Sequence, residues 1–172
     1  NNIPSLPTTI NINTHDGDST FQFTNAALAG TSDDLLINLD GATSASTITI
    51  SRAAGATNDL ETLSLVSRST ANVVATITTD AVDTAKVEIT GDQNLEVTNA
   101  FGDEVLTVSA GDATGDLDLT GGSGDMTWTT GSGNDTVISS TGDDVISTGA
   151  GADTITLGTG TDSVVAGAGN DT

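Results

Sequence analysis

Aspartate and glycine recur at a fixed spacing of nine residues through the last third of the chain. The aspartates that share this phase are Asp135, Asp144, Asp153, Asp162 and Asp171. A glycine precedes each of them by two residues, and the series of glycines is Gly115, Gly124, Gly133, Gly142, Gly151, Gly160 and Gly169. The phase holds without insertion from residue 115 to residue 172. An internal repeat of this kind takes priority in predicting the fold.

The residue types of the repeat favour a cation site. Glycine at alternating positions allows backbone conformations that other residues avoid, so a turn can direct its carbonyl oxygens inward. The aspartate adds a carboxylate beside them. A donor set of oxygen atoms suits calcium with its six to eight ligands, whereas magnesium demands a tighter octahedron. Zinc would need His or Cys, and the chain has one His, His15, and no Cys.

A second interpretation of the same aspartates is that they are solvated turn residues, because Asp and Gly favour turns in any case. Against it, aspartates stacked on successive turns would repel one another, and a bound cation removes that conflict. The composition of the chain also favours a bound cation. The chain has 24 acidic and three basic residues, a formal net charge of −21, and no Lys or Arg after Lys86. Nucleic acid and anionic membrane surfaces are excluded as partners, because both need basic patches.

The elements that would position these aspartates are short strands. An apolar residue follows each aspartate position by two, in the series Leu119, Trp128, Val137, Ile146, Ile155 and Val164. We expect each of these to be the middle, inward-facing residue of a three-residue strand. Earlier in the chain, runs such as LLINL (35–39), TITI (47–50) and VEI (87–89) alternate as strands do. A disordered Ser/Thr-rich stalk is the alternative, but disorder does not require a fixed phase.

The patterns together predict an all-β fold, a right-handed parallel β-helix or β-roll solenoid in which each rung contacts its neighbours. We expect an irregular N-terminal segment or linker (1–29), irregular β-helix rungs (30–114) and a regular nonapeptide roll (115–172). No stretch approaches the roughly 20 apolar residues of a membrane span, so membrane insertion is not expected. The chain stops within a repeat unit, and we interpret it as a fragment of a longer chain.

The repeat segments resemble the nonapeptides G-G-x-G-x-D-x-U-x of the repeats-in-toxin (RTX) family. They are GGSGDMTWT (121–129), TGSGNDTVI (130–138), STGDDVIST (140–148), TGAGADTIT (148–156) and LGTGTDSVV (157–165). The resemblance implies a parallel β-roll with two nonapeptides per turn and calcium between turns. Ligands would then pair eighteen residues apart: Asp135 with Asp153, Asp153 with Asp171, and Asp144 with Asp162.

The resemblance also implies that backbone carbonyls complete the sites. The glycines concerned are Gly131, Gly133, Gly142, Gly149, Gly151, Gly158, Gly160, Gly167 and Gly169. The chain departs from the family pattern in several places, and the first consensus glycine is kept only at Gly121. Met126 and Leu117 stand where aspartate is expected, with Asp125 and Asp116 adjacent, and Ser140 replaces a glycine. We therefore expect calcium binding to begin near residue 131.

The first part of the chain resembles the irregular β-helical rungs of bacterial surface-layer (S-layer) proteins exported by type I secretion. The segments are 30–50, LETLSL (60–65), 85–100 and 104–122. This resemblance implies a secreted structural module at the cell surface of a Gram-negative bacterium that self-associates into a lattice on extracellular calcium. Contact with cell-surface polysaccharide would involve parts outside this chain.

No catalytic constellation is found, and we expect the chain to be non-enzymatic. The sequence lacks G-x-S-x-G and H-E-x-x-H motifs. Calcium-using β-helix lyases need Arg or Lys, and this chain has only Arg52, Arg68 and Lys86. Two other functions stay open: an RTX adhesin or ligand-binding module, and the calcium-folding C-terminal part of a secreted enzyme.

Overall fold

The fold consists of parallel β-strands stacked in rungs. The computed structural model describes residues 2–3, 9–13, 19–23, 33–43, 47–52, 60–79 and 85–172. Within these residues all the regular structure is strand, and each strand pairing runs parallel. None of the described residues lies in a helix long and apolar enough to cross a membrane. The all-β fold of parallel strands is thus confirmed, while the right-handed winding stays a prediction.

Among the described residues, seventeen short strands make up the solenoid. In chain order they are β1 (Asn2–Ile3), β2 (Ile10–Asn13), β3 (Ser19–Phe23), β4 (Asp34–Asp40), β5 (Thr47–Arg52), β6 (Thr62–Arg68), β7 (Asn72–Val74), β8 (Thr76–Thr79), β9 (Ala85–Gly91), β10 (Leu95–Val97), β11 (Val105–Ser109), β12 (Leu117–Thr120), β13 (Thr127–Thr129), β14 (Thr136–Ile138), β15 (Val145–Ser147), β16 (Thr154–Thr156) and β17 (Ser163–Val165).

The strands form three sheets. An eight-stranded sheet contains β2, β4, β6, β9, β11, β13, β15 and β17, a five-stranded sheet contains β7, β10, β12, β14 and β16, and a four-stranded sheet contains β1, β3, β5 and β8. Strands β1 to β3 lie within 1–29 and belong to these sheets, so part of the expected linker segment is built into the solenoid. The proposed boundaries near residues 30 and 115 stay predictions.

The early rungs are wide and have a dense apolar core. Strands β4 and β6 pair in register over seven residues, with Asp34 opposite Thr62. Alternate residues point inward, so Leu35 and Leu63 are fully buried one above the other. This alternation is what the apolar–polar pattern of the sequence predicts for a strand with one buried face.

The four-stranded sheet ends at β8, and the solenoid narrows there. The carboxylate of Glu104 accepts hydrogen bonds from the backbone N–H (3.1 Å) and the hydroxyl (3.2 Å) of Thr79. The backbone N–H of Asn99 donates to the carbonyl of Ala75, and the side-chain amide of Asn99 donates to the hydroxyl of Thr76 at the start of β8. From β9 onward the chain alternates between the remaining two sheets. Covering the edge of β8 in this way removes open strand-pairing groups.

The number of residues per turn falls along the chain. Contacts between adjacent turns join residues 27 or 28 apart near β4, 22 apart near β10 and 18 apart from β12 onward. The core thins with the turn. Trp128, Val137 and Ile146 are buried, but Val164 in the last strand is 39% exposed. The ring of Phe101 packs on Trp128 with 6.0 Å between centroids, at the point where the regular rungs begin.

Candidate metal centre

The loops of the regular rungs stack in two columns on opposite ends of the strands. The first loop column consists of residues 113–117, 131–135, 149–153 and 167–171, and the second of residues 122–126, 140–144 and 158–162. Isolated parallel bridges tie each column at its middle residues, as between Ser132 and Ala150 and between Thr141 and Thr159. Every aspartate and glycine predicted as a ligand lies in one of the two columns, with its predicted partner eighteen residues away on the next turn.

The aspartate carboxylates lie between successive turns. In each case Oδ1 accepts a hydrogen bond from the backbone N–H of the residue eighteen positions earlier. The contacts are Leu117 to Asp135 (2.9 Å), Met126 to Asp144 (2.9 Å), Asp135 to Asp153 (2.8 Å), Asp144 to Asp162 (3.0 Å) and Asp153 to Asp171 (3.1 Å). Each carboxylate therefore extends from its own loop toward the preceding loop of the column.

The second carboxylate oxygen is left without a partner. Asp135, Asp144 and Asp153 are each only 1% exposed, and the Oδ2 atom of each is buried without a hydrogen bond. A buried charged oxygen without compensation is expensive, and native structures normally supply a partner. A cation between the loops would supply it. This donor chemistry fits calcium.

Glycine is required because the loops approach one another closely. Gly151 has φ of +148°, and a Cβ added to it would lie 1.7 Å from the carbonyl oxygen of Gly133. The carbonyl of Gly149 accepts a hydrogen bond from the N–H of Ala168, in the next loop. The described residues offer no backbone hydrogen bond to the carbonyls of Gly133 and Gly151. These carbonyl oxygens are thus without a backbone hydrogen bond and could coordinate a cation.

The electrostatics of the first loop column favour proton or metal uptake. Burial raises the pKa of the Asp135 carboxyl above its ordinary value, and the negative charges of Asp153 and Asp116 add to the rise. Hydrogen bonding from the Thr130 side chain, the larger opposing effect, and from the N–H of Leu117 lowers the pKa in part. The net rise means that the ionised, metal-free carboxylate is in an unfavourable environment. A bound cation would relieve it.

A second ladder of side chains lies on the outside of the same loops. In four loops, the residue just before the inner position accepts a hydrogen bond from the backbone N–H eighteen positions later, with distances of 2.7 to 2.9 Å. The acceptors are Asp116, Asp125, Asn134 and Asp143. This outer ladder runs in the opposite direction to the inner one. Asp or Asn recurs at this position in the sequence, but the nine-residue spacing alone does not indicate that these side chains join successive turns.

The hydrogen bonds of the outer ladder and the burial of Met126 and Leu117 show the roles of the positions that depart from the repeat. Asp125 is exposed and bonded to the N–H of Asp143, so it does not take the inner place of its neighbour Met126. Met126 and Leu117 are both buried as apolar residues. Among the described residues no three Asp, Glu or His side chains gather in one cluster. The proposed ligand sets thus depend on backbone carbonyls as well as carboxylates.

Comparison with known proteins gives one match. Residues 129–164 and 138–172 match the family model described as RTX calcium-binding nonapeptide repeat (4 copies). Neither the curated proteins nor the solved structures contain a match to the chain.

Proposed function

We propose that this chain, whose residues 129–172 are RTX calcium-binding nonapeptide repeats, is a structural module that folds on binding calcium outside the cell. Calcium is bound by such repeats, and proteins that carry them are generally secreted. The observation that carries the proposal is the set of three buried, unpartnered Oδ2 atoms in Asp135, Asp144 and Asp153. They lie between turns, where one ion can neutralise charge and hold two loops together.

The energetics of the regular rungs support a dependence on metal. Ordering the backbone opposes folding by roughly 1–2 kcal/mol per residue. From residue 131 onward each nonapeptide contributes one inward aliphatic residue, and in the last rung even Val164 is partly exposed. Metal binding to the folded state alone would add the missing stability.

The concentration of calcium would act as the switch. Calcium sites of extracellular modules bind at about 10⁻⁴–10⁻³ M. At the far lower calcium level of the cytosol, the repeats would remain extended, as export through a narrow channel requires. Outside the cell the same chain would fold.

The test is far-UV circular dichroism of the purified chain in chelator and in millimolar calcium. We expect β-structure to increase on adding calcium and to fall again with excess chelator, and an equal concentration of magnesium to have little effect. Equal β content in chelator and in calcium would contradict the proposal.

We further propose that the module belongs to a bacterial surface layer and contributes to a calcium-held lattice. The support is the resemblance of residues 30–122 to S-layer rungs and the strong negative charge, which keeps copies apart until cations bind. Light scattering of the parent protein during calcium titration tests this, with electron microscopy of the product. Reversible growth into ordered sheets is expected. A folded particle that stays monomeric would favour an adhesin or the folding tail of a secreted enzyme.

The role that we propose is structural and not catalytic. It is supported by the scarcity of basic residues, because only three are available to stabilise an anionic intermediate. A glycosidase-type acid pair would need two facing carboxyl groups. The adjacent residues Asp143 and Asp144 instead face outward and inward.

A further inference from the structure

We propose that the first loop column holds one more cation-binding level than its pairs of aspartates account for, where a level is the space between two successive loops. This junction level lies between residues 113–117 and 131–135, at the boundary of the irregular rungs, and Asp135 supplies its only carboxylate. The inference rests on the proposed calcium function and extends it to residues that lie before the matched repeats. It also moves the beginning of calcium binding toward the N-terminus from residue 131.

The junction level repeats the geometry of the levels that follow it. A Cβ added to Gly151 would meet the carbonyl oxygen of Gly133 and Oδ1 of Asp153, at 1.7 and 3.2 Å. A Cβ added to Gly169 would meet the carbonyl oxygen of Gly151 and Oδ1 of Asp171, at 1.5 and 3.2 Å. The same two kinds of oxygen therefore converge at each level of the column.

At the junction the corresponding atoms belong to Gly115 and Asp135. A Cβ added to Gly133 would lie 2.6 Å from the carbonyl oxygen of Gly115 and 3.0 Å from Oδ1 of Asp135. The hydrogen bond from the N–H of Leu117 to Asp135 Oδ1 holds this carboxylate between the two loops. Its Oδ2 is buried and without a partner. The junction thus contains an uncompensated negative oxygen next to a free carbonyl.

Leu117 makes the junction level weaker than the others. It stands where the paired levels have aspartate, so one carboxylate is available instead of two. Asp116 does not replace the second, because its Oδ1 accepts the N–H of Asn134 and its Oδ2 accepts the side-chain amide of Asn94. We expect calcium to fill this level last.

The column ends at the junction. One turn earlier, the three atoms nearest a Cβ added to Gly115 belong to the backbone of Gln93 and Asn94. The second column has a related place, because Oδ1 of Asp144 accepts the N–H of Met126 and Oδ2 of Asp144 is buried without a partner. We restrict the inference to the first column, where the carbonyl oxygen of Gly115 and Oδ1 of Asp135 both lie close to Gly133.

Anomalous diffraction from crystals of the chain grown with Tb³⁺, a hard cation of calcium-like size, tests the inference directly. We expect peaks between the paired aspartates and one further peak bounded by Gly115 and Asp135. Peaks at the paired levels without one at the junction would overturn the inference and leave the proposed function standing. Absence of every peak would overturn both.

A pair of variants tests the same level in solution. Leu117→Asp supplies the missing carboxylate, and Leu117→Asn is the matched control, because it places a polar group of the same size there without charge. Native mass spectrometry during calcium titration counts the ions. We expect the last ion to bind at least tenfold more tightly to Leu117→Asp than to the wild type, with no such gain in Leu117→Asn. Equal binding by both variants at this step would contradict the junction site.

Discussion

At the scale of single residues, acidic and amide side chains occupy an inner and an outer position of the loops, and the two positions have opposite surroundings. Asp153 is buried between turns and has an unpartnered Oδ2, whereas Asp143 is exposed and belongs to the outer ladder. Both accept one backbone hydrogen bond through Oδ1. Substituting the two positions in turn therefore distinguishes the loss of a carboxylate that binds calcium from the loss of one unit of net charge.

Asp153→Asn should weaken calcium binding strongly, and Asp143→Asn should not. Either asparagine keeps an Oδ1 that accepts the backbone N–H, but only the first removes a carboxylate from between the loops. We expect the calcium midpoint of folding, followed by circular dichroism, to rise at least tenfold, about 1.4 kcal/mol, for Asp153→Asn. Equal shifts in the two variants would mean that overall charge, and not ligation, governs the transition.

Gly151→Ala should prevent the last turns from stacking even at saturating calcium. A Cβ at this position would lie 1.7 Å from the carbonyl oxygen of Gly133, which is backbone and has no room to move. Gly124→Ala is the control, because Gly124 also has a positive φ, +119°, but no atom within 4 Å of the added Cβ. We expect Gly124→Ala to lose about 1–2 kcal/mol of unfolding free energy in urea titrations. A similar small loss in Gly151→Ala would show that the loops of Gly133 and Gly151 lie farther apart in solution than this 1.7 Å approach implies.

Asp118→Thr should stabilise the fold slightly. Asp118 lies opposite Glu96 on neighbouring strands, and burial together with the charge of Glu96 raises its pKa. A raised carboxyl pKa means that stability is highest below the ordinary pKa and is lost as pH rises through the raised value. Because Asp118 is largely solvated, the gain at pH 7 should be only about 0.2–0.5 kcal/mol.

Urea unfolding at pH 4 and pH 7 in saturating calcium measures this effect. The exposed Asp92→Thr serves as the control for net charge. The two variants should differ at pH 7 and converge at pH 4. A difference that persists at pH 4 would assign the gain to strand propensity instead of to repulsion from Glu96.

At the scale of elements, the strands differ in how much of their stability comes from apolar packing. Strands β4, β6 and β9 stack fully buried residues such as Leu35, Leu63 and Val87. In β16 and β17 the inward residues Ile155 and Val164 are partly exposed. The two ends of the described solenoid should therefore respond differently to loss of metal.

Hydrogen exchange in chelator should show this difference. We expect amides of β16 and β17 to exchange at rates close to those of an unfolded chain, while β4, β6 and β9 keep most of their protection. Trp128, buried against Phe101, should keep a blue-shifted emission in chelator because it packs on the apolar rungs. Uniform loss of protection, with a red shift of Trp128, would mean that the chain folds as a single calcium-dependent unit.

The elements that the sequence predicted well are those whose spacing is local and regular. The nine-residue phase placed Val137 and Ile146 inward and Asp153 in a loop, and the structure has them there. It did not predict the three-sheet arrangement of the early rungs. That arrangement depends on contacts such as those of buried Asn72, which accepts the N–H of Ala42 thirty residues earlier. Because the early turns differ in length, the sequence has no common period that would indicate such partners.

The site was predicted in part for the same reason. The positions of the inner aspartates follow from the repeat, and a donor set of oxygen atoms follows from their chemistry. The directions of the aspartate side chains do not follow from the repeat. That Asp135 extends toward Leu117, while Asp116 extends toward Asn134, depends on the stacking of two turns. No local pattern in the sequence encodes it.

At the scale of the whole molecule, charge and turn length change together along the chain. All three basic residues occur in the first half, where the turns are long and the core is dense. The segment after Lys86 carries only acidic charge and has the shortest turns. The molecule is thus divided between a part that apolar burial can stabilise and a part that repels itself until counter-charge arrives.

The shortening of the turns also sets how the molecule would behave under tension. A turn of 28 residues, such as the one from β4 to β6, yields about 95 Å of extended chain when it is pulled out, and a turn of 18 residues yields about 60 Å. In single-molecule pulling, the early and late regions should therefore release length in steps of different size, with an intermediate step from the turn of 22 residues near β10. Calcium should raise the force needed for the short steps and leave the force for the long steps nearly unchanged. The mechanical strength of the short-turn region would therefore depend on the calcium concentration of the medium, while that of the long-turn region would not.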